Sequence, residues 1–475
     1  MVQSNKVRVR FAPSPTGELH LGSARTALFN YLFAKNNKGK FLLRIEDTDH
    51  ERSHKAHVEQ AISSIKWLGF AADEGIVFQS NRSNIYKKYL NRLLENGTAY
   101  RCFASKEELK NIRIKTNSYS YSGLWRDRSD EDINEQLEKG HPYTIRLKTP
   151  NKGHARFKDL IYGEIKISNK EIDDFIISRS DGSPVYNFTN VIDDHLMKIS
   201  HVIRGEDHIS NTPKQLHIYR SLGFKTPLFA HLPMILGEDK KKLSKRHGAE
   251  SVESYRNSGF QSAPLINYLA LLGWNPGDNE EIIDLQNLIS KFDVRKVQKK
   301  SAVFDPKKFN WISAHYLQKE EAQSIFTKIR SSDSDWGISC KDTFCLRVIE
   351  LMKPRADTIK EIMLKSHYFF NGPKIFNDND QKKVWKESTE KVLENIVQFL
   401  EKIEDVNRQN LENIIKSYIE TCGFGFGEVL KPMRLAMCGS LTGPSLFDLI
   451  ELVGIKESIS RINYYIYISK HKYEK

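Results

Sequence analysis

What is scarce in this chain already excludes whole classes of protein. Five cysteines in 475 residues (Cys102, Cys340, Cys345, Cys422 and Cys438), odd in number and never spaced C-x-x-C, give no disulfide framework and no cysteine-built zinc site. No uninterrupted apolar run approaches the length of a bilayer span, so no membrane partner is expected. The opening residues MVQSNKVRVR lack the apolar core of a secretory signal, and a cytoplasmic location is expected. Acidic residues are in deficit, 60 Asp and Glu against 73 Lys and Arg, a net charge of +13. That balance favours a polyanionic partner, although a basic protein without such a partner would carry the same charge.

What is present is organised in segments, and the length implies two to five domains around more than one core. VRVRFA (7–12) alternates like a strand, SARTALFNYLFAKN (23–36) reads as a helix, and KFLLRIED (40–47) is an apolar run of strand length. The next helix, HVEQAISSIKWLG, sets Val58, Ile62, Ile65 and Leu68 on one face and closes at Gly69. Such alternation predicts an α/β fold with a parallel sheet. From about 98 to 186 the pattern becomes irregular, with polar stretches between short runs such as PYTIRLK and DDFIISR, and reads as an insertion. HVIRGEDH and HLPMILGED resume the strands. Beyond 320 the period is helical: KVLENIVQFLEKI puts Val392, Ile396, Phe399, Leu400 and Ile403 on one stripe, and LENIIKSYI repeats the pattern. The final INYYIYISKHKYEK reads as an appended tail.

Residues 10–33, RFAPSPTGELHLGSARTALFNYLF, join the first strand to the first helix. Pro13 and Pro15 fix two φ angles and bias Ala12 and Ser14 toward extended geometry, so the chain leaves the strand in a stiff loop. The helix then presents free N–H groups at the carboxyl end of the sheet, where open α/β folds bind phosphates. Gly22, without a Cβ, would let a base or sugar approach the backbone, and His20 can donate to a phosphate oxygen. H-x-G alone reads as readily as a surface histidine near a helix start. A second element, GEDKKKLSKRHG (237–248), crowds Lys240, Lys241, Lys242, Lys245, Arg246 and His247 beside glycines after HLPMIL.

APSPTGELHLG after a first strand, RIEDTD after the second and KLSKR after a late strand form an ordered set. With SDGSPVYNFTNVIDDHLM, VIRGEDH, VFDPKKF and LMKPRADT in the same order, the chain resembles the class I aminoacyl-tRNA synthetases, most closely the bacterial-type glutamyl-tRNA synthetases, over roughly residues 7–465.

The resemblance implies activation of L-glutamate with ATP to glutamyl-adenylate and transfer to the 3′ end of tRNA-Glu, with tRNA-Gln, charged also or instead, as the alternative acceptor. It implies a class I Rossmann-type α/β catalytic domain (1–97 and 187–245), an acceptor-stem-binding insertion (98–186), a stem-contact domain (246–322) and an all-helical anticodon-binding domain (323–475). By the same resemblance His20, Gly22, Ser23, Lys242 and Lys245 would bind ATP, with His20, Lys242 and Lys245 assisting catalysis. Mg²⁺ would arrive with ATP, held largely by phosphate and water. Arg10, Ala12, Ser14, Glu46, Tyr186, Asn190 and Arg204 would bind glutamate, the arginines taking its carboxylates and Glu46 its ammonium. Without the family pattern, Arg10 also reads as a surface strand residue, Tyr186 as a core aromatic, and Glu46 as an ion-pair partner of Arg44 or Arg52. Arg355 resembles the position that inspects the third anticodon base, a phosphate contact or salt bridge being the alternative. Some relatives hold zinc in the insertion. Here Cys102 is followed by Ala104, and Trp125 and Asp127 stand where the later ligands fall, so no structural zinc is expected. The family suggests a monomer.

Overall fold

The alternating VRVRF segment forms strand β1 (Arg8–Phe11), whose last three residues are buried. In the computed structural model, residues 6–48, 54–117, 121–243, 251–404 and 406–473 are described. They divide into two compact units, Met1–Asn257 with Gln261–Phe309, and Ser258–Phe260 with Asn310–Lys475.

In the first unit β1 pairs in parallel with β2 (Lys40–Ile45), from Arg8 opposite Lys40 to Phe11 opposite Leu43. β2 pairs in parallel with β3 (Val77–Phe78). The connecting helix Leu21–Asn36 buries residues on every side, among them Ala24, Leu28, Phe29 and Leu32, so it is a core helix and not a half-exposed amphipathic one. A three-residue turn returns it to β2. Gly39 lies under the Val7 carbonyl there, and a Cβ at that position would stand 2.3 Å from the carbonyl oxygen. That oxygen also accepts the Lys40 N–H at 2.8 Å, so it cannot withdraw without breaking the first rung of the sheet.

The segment after residue 98 supplies two further pieces of sheet. β4 (Ala99–Cys102), β5 (Thr144–Leu147) and β8 (Ile176–Ser178) make an antiparallel sheet in the order β4-β5-β8. β6 (His154–Asp159) and β7 (Gly163–Ser168) form a hairpin that joins β9 (His201–Gly205) and β10 (Leu228–Leu232), in the order β7-β6-β10-β9. β9 and β10 run parallel, and β6 meets β10 in parallel with Asp159 opposite Phe229. The resumed strands adjoin the first sheet where the Ser200 N–H donates to the Arg8 carbonyl at 2.9 Å.

HLPMIL does not form one strand. It breaks at Pro233, which has no N–H to donate, into the end of β10 and a short β11 (Ile235–Leu236) that pairs with β12 (Ala302–Val303).

Among its described residues the second unit is all helical. Helix Thr389–Leu400 buries Val392, Ile396 and Leu400 from the expected stripe, and Phe399 stacks on Tyr418 of helix Arg408–Thr421 with centroids 3.9 Å apart. The C-terminal stretch read as an appended tail is instead the core helix Ile455–Tyr473, with Ile462, Tyr465 and Ile466 in the same cluster as Ile396 and Leu449. Its aromatics alternate with apolar residues at helical spacing, and Arg461 fixes the packing by donating to the Tyr368 carbonyl at 2.6 Å and the Met437 carbonyl at 3.3 Å.

Gly39→Ala should destabilise the first unit by about 1–3 kcal/mol, the usual penalty for overpacking, measurable as a lower midpoint in urea denaturation. An unchanged midpoint would show that the turn can open away from Val7.

Candidate active site

One cleft of about 1010 Å³ is lined by Arg10, Ala12, Ser14, His20, Gly22, Ser23, Glu46, Tyr186, Asn190, Arg204 and Lys242, which includes every described residue of the first unit expected at the site. Lys245 lies outside the described residues. Arg355 belongs to the second unit, where it is exposed and donates to the Gly443 and Leu351 carbonyls at 3.2 Å each.

The proline-stiffened loop forms one wall. The Pro13 carbonyl accepts the Glu46 N–H at 3.0 Å, which ties the loop to the end of β2 and fixes Glu46 beside it. His20 caps helix Leu21–Asn36 from extended backbone, its Nδ1 accepting the Ser23 N–H at 3.3 Å while Nε2 lies 3.1 Å from Ser23 Oγ. A Cβ on Gly22 would press on this ring at 3.2 Å, so glycine here makes room for the imidazole as well as for a ligand. Partial desolvation at the cleft mouth, then the Lys242 ammonium, hold the solvent-facing His20 below its ordinary value against the opposing pull of Asp207. The ring is therefore neutral at pH 7 and able to donate. Lys242 Nζ stands 3.5 Å from Asp207 Oδ2 across the rim.

The floor of the cleft is a buried charge network. Arg10 Nε donates to Asp194 Oδ1 at 2.9 Å, and Arg44 Nη1 donates to the same oxygen at 2.6 Å. Arg44 Nη2 also donates to Glu46 Oε1 at 3.0 Å, where the Asn190 amide donates as well, at 3.0 Å. Glu46 is thus both an ion-pair partner of Arg44 and a wall of the cleft, so the two sequence readings of this residue do not compete. Asn190 Oδ1 is buried without a partner among the described residues. Burial would raise Asp194, but Arg10 and Arg44 together bring it below the usual aspartate range. For Glu46 the balance reverses: burial prevails over Arg44 and Arg10, and its value rises. Asp193, one residue earlier, is neutralised separately by Arg82 at 2.7 Å, with Gln79 and Tyr86 also donating to it.

Arg204 makes no ion pair among the described residues. Its Nη2 donates to Thr212 Oγ1 at 2.7 Å, Nη1 reaches the Tyr186 hydroxyl at 3.4 Å and Nε meets the His231 ring. Burial draws the guanidinium down from its ordinary value, yet an arginine stays charged. Of the buried guanidiniums here, Arg10 and Arg44 are paired directly with Asp194 and Glu46, whereas Arg204 touches only uncharged groups and faces the cleft.

Sequence reasoning passed over Asp194 as a site residue, and Arg44 except as a partner for Glu46. The available signal was a charged residue inside an apolar strand, KFLLRI, and a paired acid inside an apolar helix, VIDDH. Arg25 was missed as well. It is buried, donates to the Leu272 carbonyl at 3.0 Å and to the Pro233 carbonyl, and is drawn down to about 10 by burial, with Glu206 opposing.

Residues 6–311 match the family described as tRNA synthetases class I (E and Q), catalytic domain, and residues 318–466 match the Anticodon binding domain family. The chain belongs to the class I tRNA synthetases of the E and Q type. It is 41% identical over 471 residues to the glutamate–tRNA ligase 2 of Caldicellulosiruptor saccharolyticus, covering 96% of this chain and 98% of that one. It is 39% identical over 494 residues to the glutamate–tRNA ligase of Flavobacterium psychrophilum, covering 97% and 98%. A crystal structure of a glutamate tRNA ligase from Elizabethkingia meningosepticum in complex with its amino acid superposes with a TM-score of 0.89 at 36% identity, over 97% of this chain and 99% of that one. In this synthetase Cys102 Sγ lies 3.3 Å from the Tyr121 hydroxyl, which accepts the Trp125 N–H at 3.0 Å. Among the described residues no three His, Cys, Asp or Glu side chains are grouped to hold a metal ion.

Arg44→Met should destabilise the first unit of the synthetase by about 3–5 kcal/mol in urea denaturation, because it strands Glu46 and half of Asp194 in a buried site. Asp194, held below its ordinary 3.8, contributes its stability fully above that value and loses it as the pH falls through its folded value, so the gap between variant and parent should narrow in acid. A loss below about 1 kcal/mol would mean that water replaces Arg44.

Proposed function

We propose that the chain is a glutamate–tRNA ligase that activates L-glutamate with ATP and transfers it to the 3′ end of tRNA-Glu. The observation that carries this reading is Arg204, a guanidinium buried in the wall of the cleft with no carboxylate in direct contact. Glutamate brings two carboxylates and one ammonium, and one of those carboxylates would give Arg204 the direct ion pair that it lacks. Glutamine has no net charge and would leave a buried cation unpaired, a difference able to support discrimination of roughly 10⁴ without editing.

In this reading Arg10 and Arg204 take the two carboxylates. Glu46 and the unpartnered Asn190 oxygen receive the ammonium, Tyr186 closes the side of the pocket, and Ala12 and Ser14 supply the loop wall. Asp194 holds Arg10 in place from behind. The α-carboxylate oxygen attacks the α-phosphorus of ATP and pyrophosphate leaves; a ribose hydroxyl of the tRNA end then attacks the activated carbonyl and AMP leaves. Little covalent help is needed, so the protein's contribution is orientation and charge. Neutral His20, the helix N-terminus at Gly22 and Ser23, and Lys242 would receive phosphate oxygens, with Lys245 of the same basic segment added by resemblance. Mg²⁺ would accompany the nucleotide on phosphate and water.

The domain division set out from the sequence, with an acceptor-stem insertion at 98–186, a stem-contact domain at 246–322 and anticodon contact through Arg355, belongs to the same proposal. So do a monomeric state and a cytoplasmic location; among the described residues no helix is long and apolar enough to cross a membrane.

The test is aminoacylation with radiolabelled glutamate on separate pure transcripts of tRNA-Glu and tRNA-Gln, with Arg204→Ala beside the parent. Labelled tRNA-Glu is expected, and Arg204→Ala should raise the KM for glutamate on the order of 100-fold, the cost of removing one partner of a buried charge pair. Failure to charge tRNA-Glu would overturn the assignment, and charging of tRNA-Gln alone would reassign the acceptor.

A further inference from the structure

We infer that Asp159, acting through His231, is a positioning pair that orients the Arg204 guanidinium toward its carboxylate; the inference deepens the glutamate-binding reading and rests on it. Asp159 is the last residue of β6, inside the segment read as an insertion, and β6 meets β10 two residues before His231. Both side chains are completely enclosed. His231 Nδ1 lies 2.7 Å from Asp159 Oδ2, and the same oxygen accepts the His231 N–H at 3.1 Å. Asp159 Oδ1 accepts the N–H groups of Ile161 and Tyr162, each at 2.9 Å, so the carboxylate is held by four donors and cannot rotate.

This arrangement decides which ring nitrogen carries the proton. A fixed carboxylate beside Nδ1 requires N–H there, which leaves Nε2 as an acceptor. Nε2 lies 3.2 Å from Arg204 Nε and 3.1 Å from Thr212 Oγ1. Arg204 therefore donates from Nε to the imidazole and from Nη2 to Thr212 and to the His208 carbonyl, all of them uncharged acceptors. A carboxylate in place of His231 would orient the guanidinium equally well but would neutralise it. A neutral imidazole, locked in one tautomer by a carboxylate one step further away, orients it and leaves its charge for the ligand. The rings of Phe157 and Phe229 flank His231 at 6.1 and 6.2 Å, so a purely apolar side chain would also fit this place. A buried acid–imidazole pair is expensive in such surroundings unless its polarity is used.

The test is steady-state charging of tRNA-Glu by His231→Phe, His231→Gln and Asp159→Asn, with Arg204→Ala as reference, reading the KM for glutamate, the KM for ATP and kcat. His231→Phe keeps the packing and removes the acceptor, and should raise the glutamate KM by about 10-fold while leaving the ATP KM unchanged, the loss of one hydrogen bond to a charged group. His231→Gln, whose amide can accept from Arg204 and donate to Asp159, should recover most of that loss. In Asp159→Asn the amide oxygen stays with the Ile161 and Tyr162 N–H groups, and its NH₂, which now faces Nδ1 and costs the acceptor of the His231 N–H, turns the ring to the other tautomer, which sets an N–H against Arg204 and should also raise the glutamate KM. If His231→Phe does not fold, Asp159→Asn decides alone. A glutamate KM equal to the parent's in either folded variant, with only thermal stability lowered, overturns the inference and leaves the glutamate site intact provided Arg204→Ala has lost glutamate. An unaltered glutamate KM in Arg204→Ala overturns the reading of the pocket itself, and the positioning role falls with it.

Discussion

The site depends on one buried carboxylate. Asp194 accepts from Arg10 and Arg44 on the same oxygen, and both arginines sit on neighbouring parallel strands whose other buried residues are apolar. Two guanidiniums side by side in a protein interior would repel each other and lose hydration; one shared anion offsets both penalties. The helix that carries Asp194, Tyr186–Leu196, also carries Asn190 and begins at Tyr186, so seating the anion between the strands brings the rest of that helix's face to the pocket. The same constraint explains why Glu46 stays in contact with Arg44 while facing the cleft: it is the second anion that the cations require.

Above this floor the charges are exposed. The floor is buried, and Arg204 in it has no carboxylate in direct contact, which suits a small acidic ligand. The rim, with Lys242 opposite Asp207 and a neutral histidine at a helix N-terminus, is open to water, so its charges are screened and its side chains can rearrange around a phosphate chain. In the proposed reading, discrimination and chemistry are thereby separated within one cleft: the buried guanidiniums would distinguish a carboxylate from an amide, and the exposed rim would accommodate the charge that moves during phosphoryl transfer.

Much of the fold was legible because its signals are local. Alternation marked β1, the prolines marked the loop, and the apolar stripe of helix Thr389–Leu400 appeared at its expected period. The signature segments placed all but two of the expected site residues in one cleft. What was not legible depends on pairing across long separations. Arg44 and Asp194 are 150 residues apart, and nothing in KFLLRI or VIDDH states that one answers the other. The β6–β7 hairpin looked like part of an irregular insertion, yet it adds its strand to β10, a choice made by backbone hydrogen bonding that many strands of similar composition could satisfy. The C-terminal segment read as a tail because its charged end masks the helical stripe that packs into the core.

The sequence by itself determined the chemical inventory and the order of the elements: a stiff loop before a phosphate-ready helix, arginines and acids at strand ends, a late basic segment and a helical C-terminal part. These follow from local backbone preference and hydrophobic period, which a linear string contains. Only the tertiary structure decided how the charges are shared: that Asp194 serves two arginines, that Glu46 is at once paired and available, and that Arg204 is left with neutral partners and an unspent charge. Those outcomes rest on distances of about 3 Å between residues far apart in the chain, and on burial strong enough to make each unpaired charge costly.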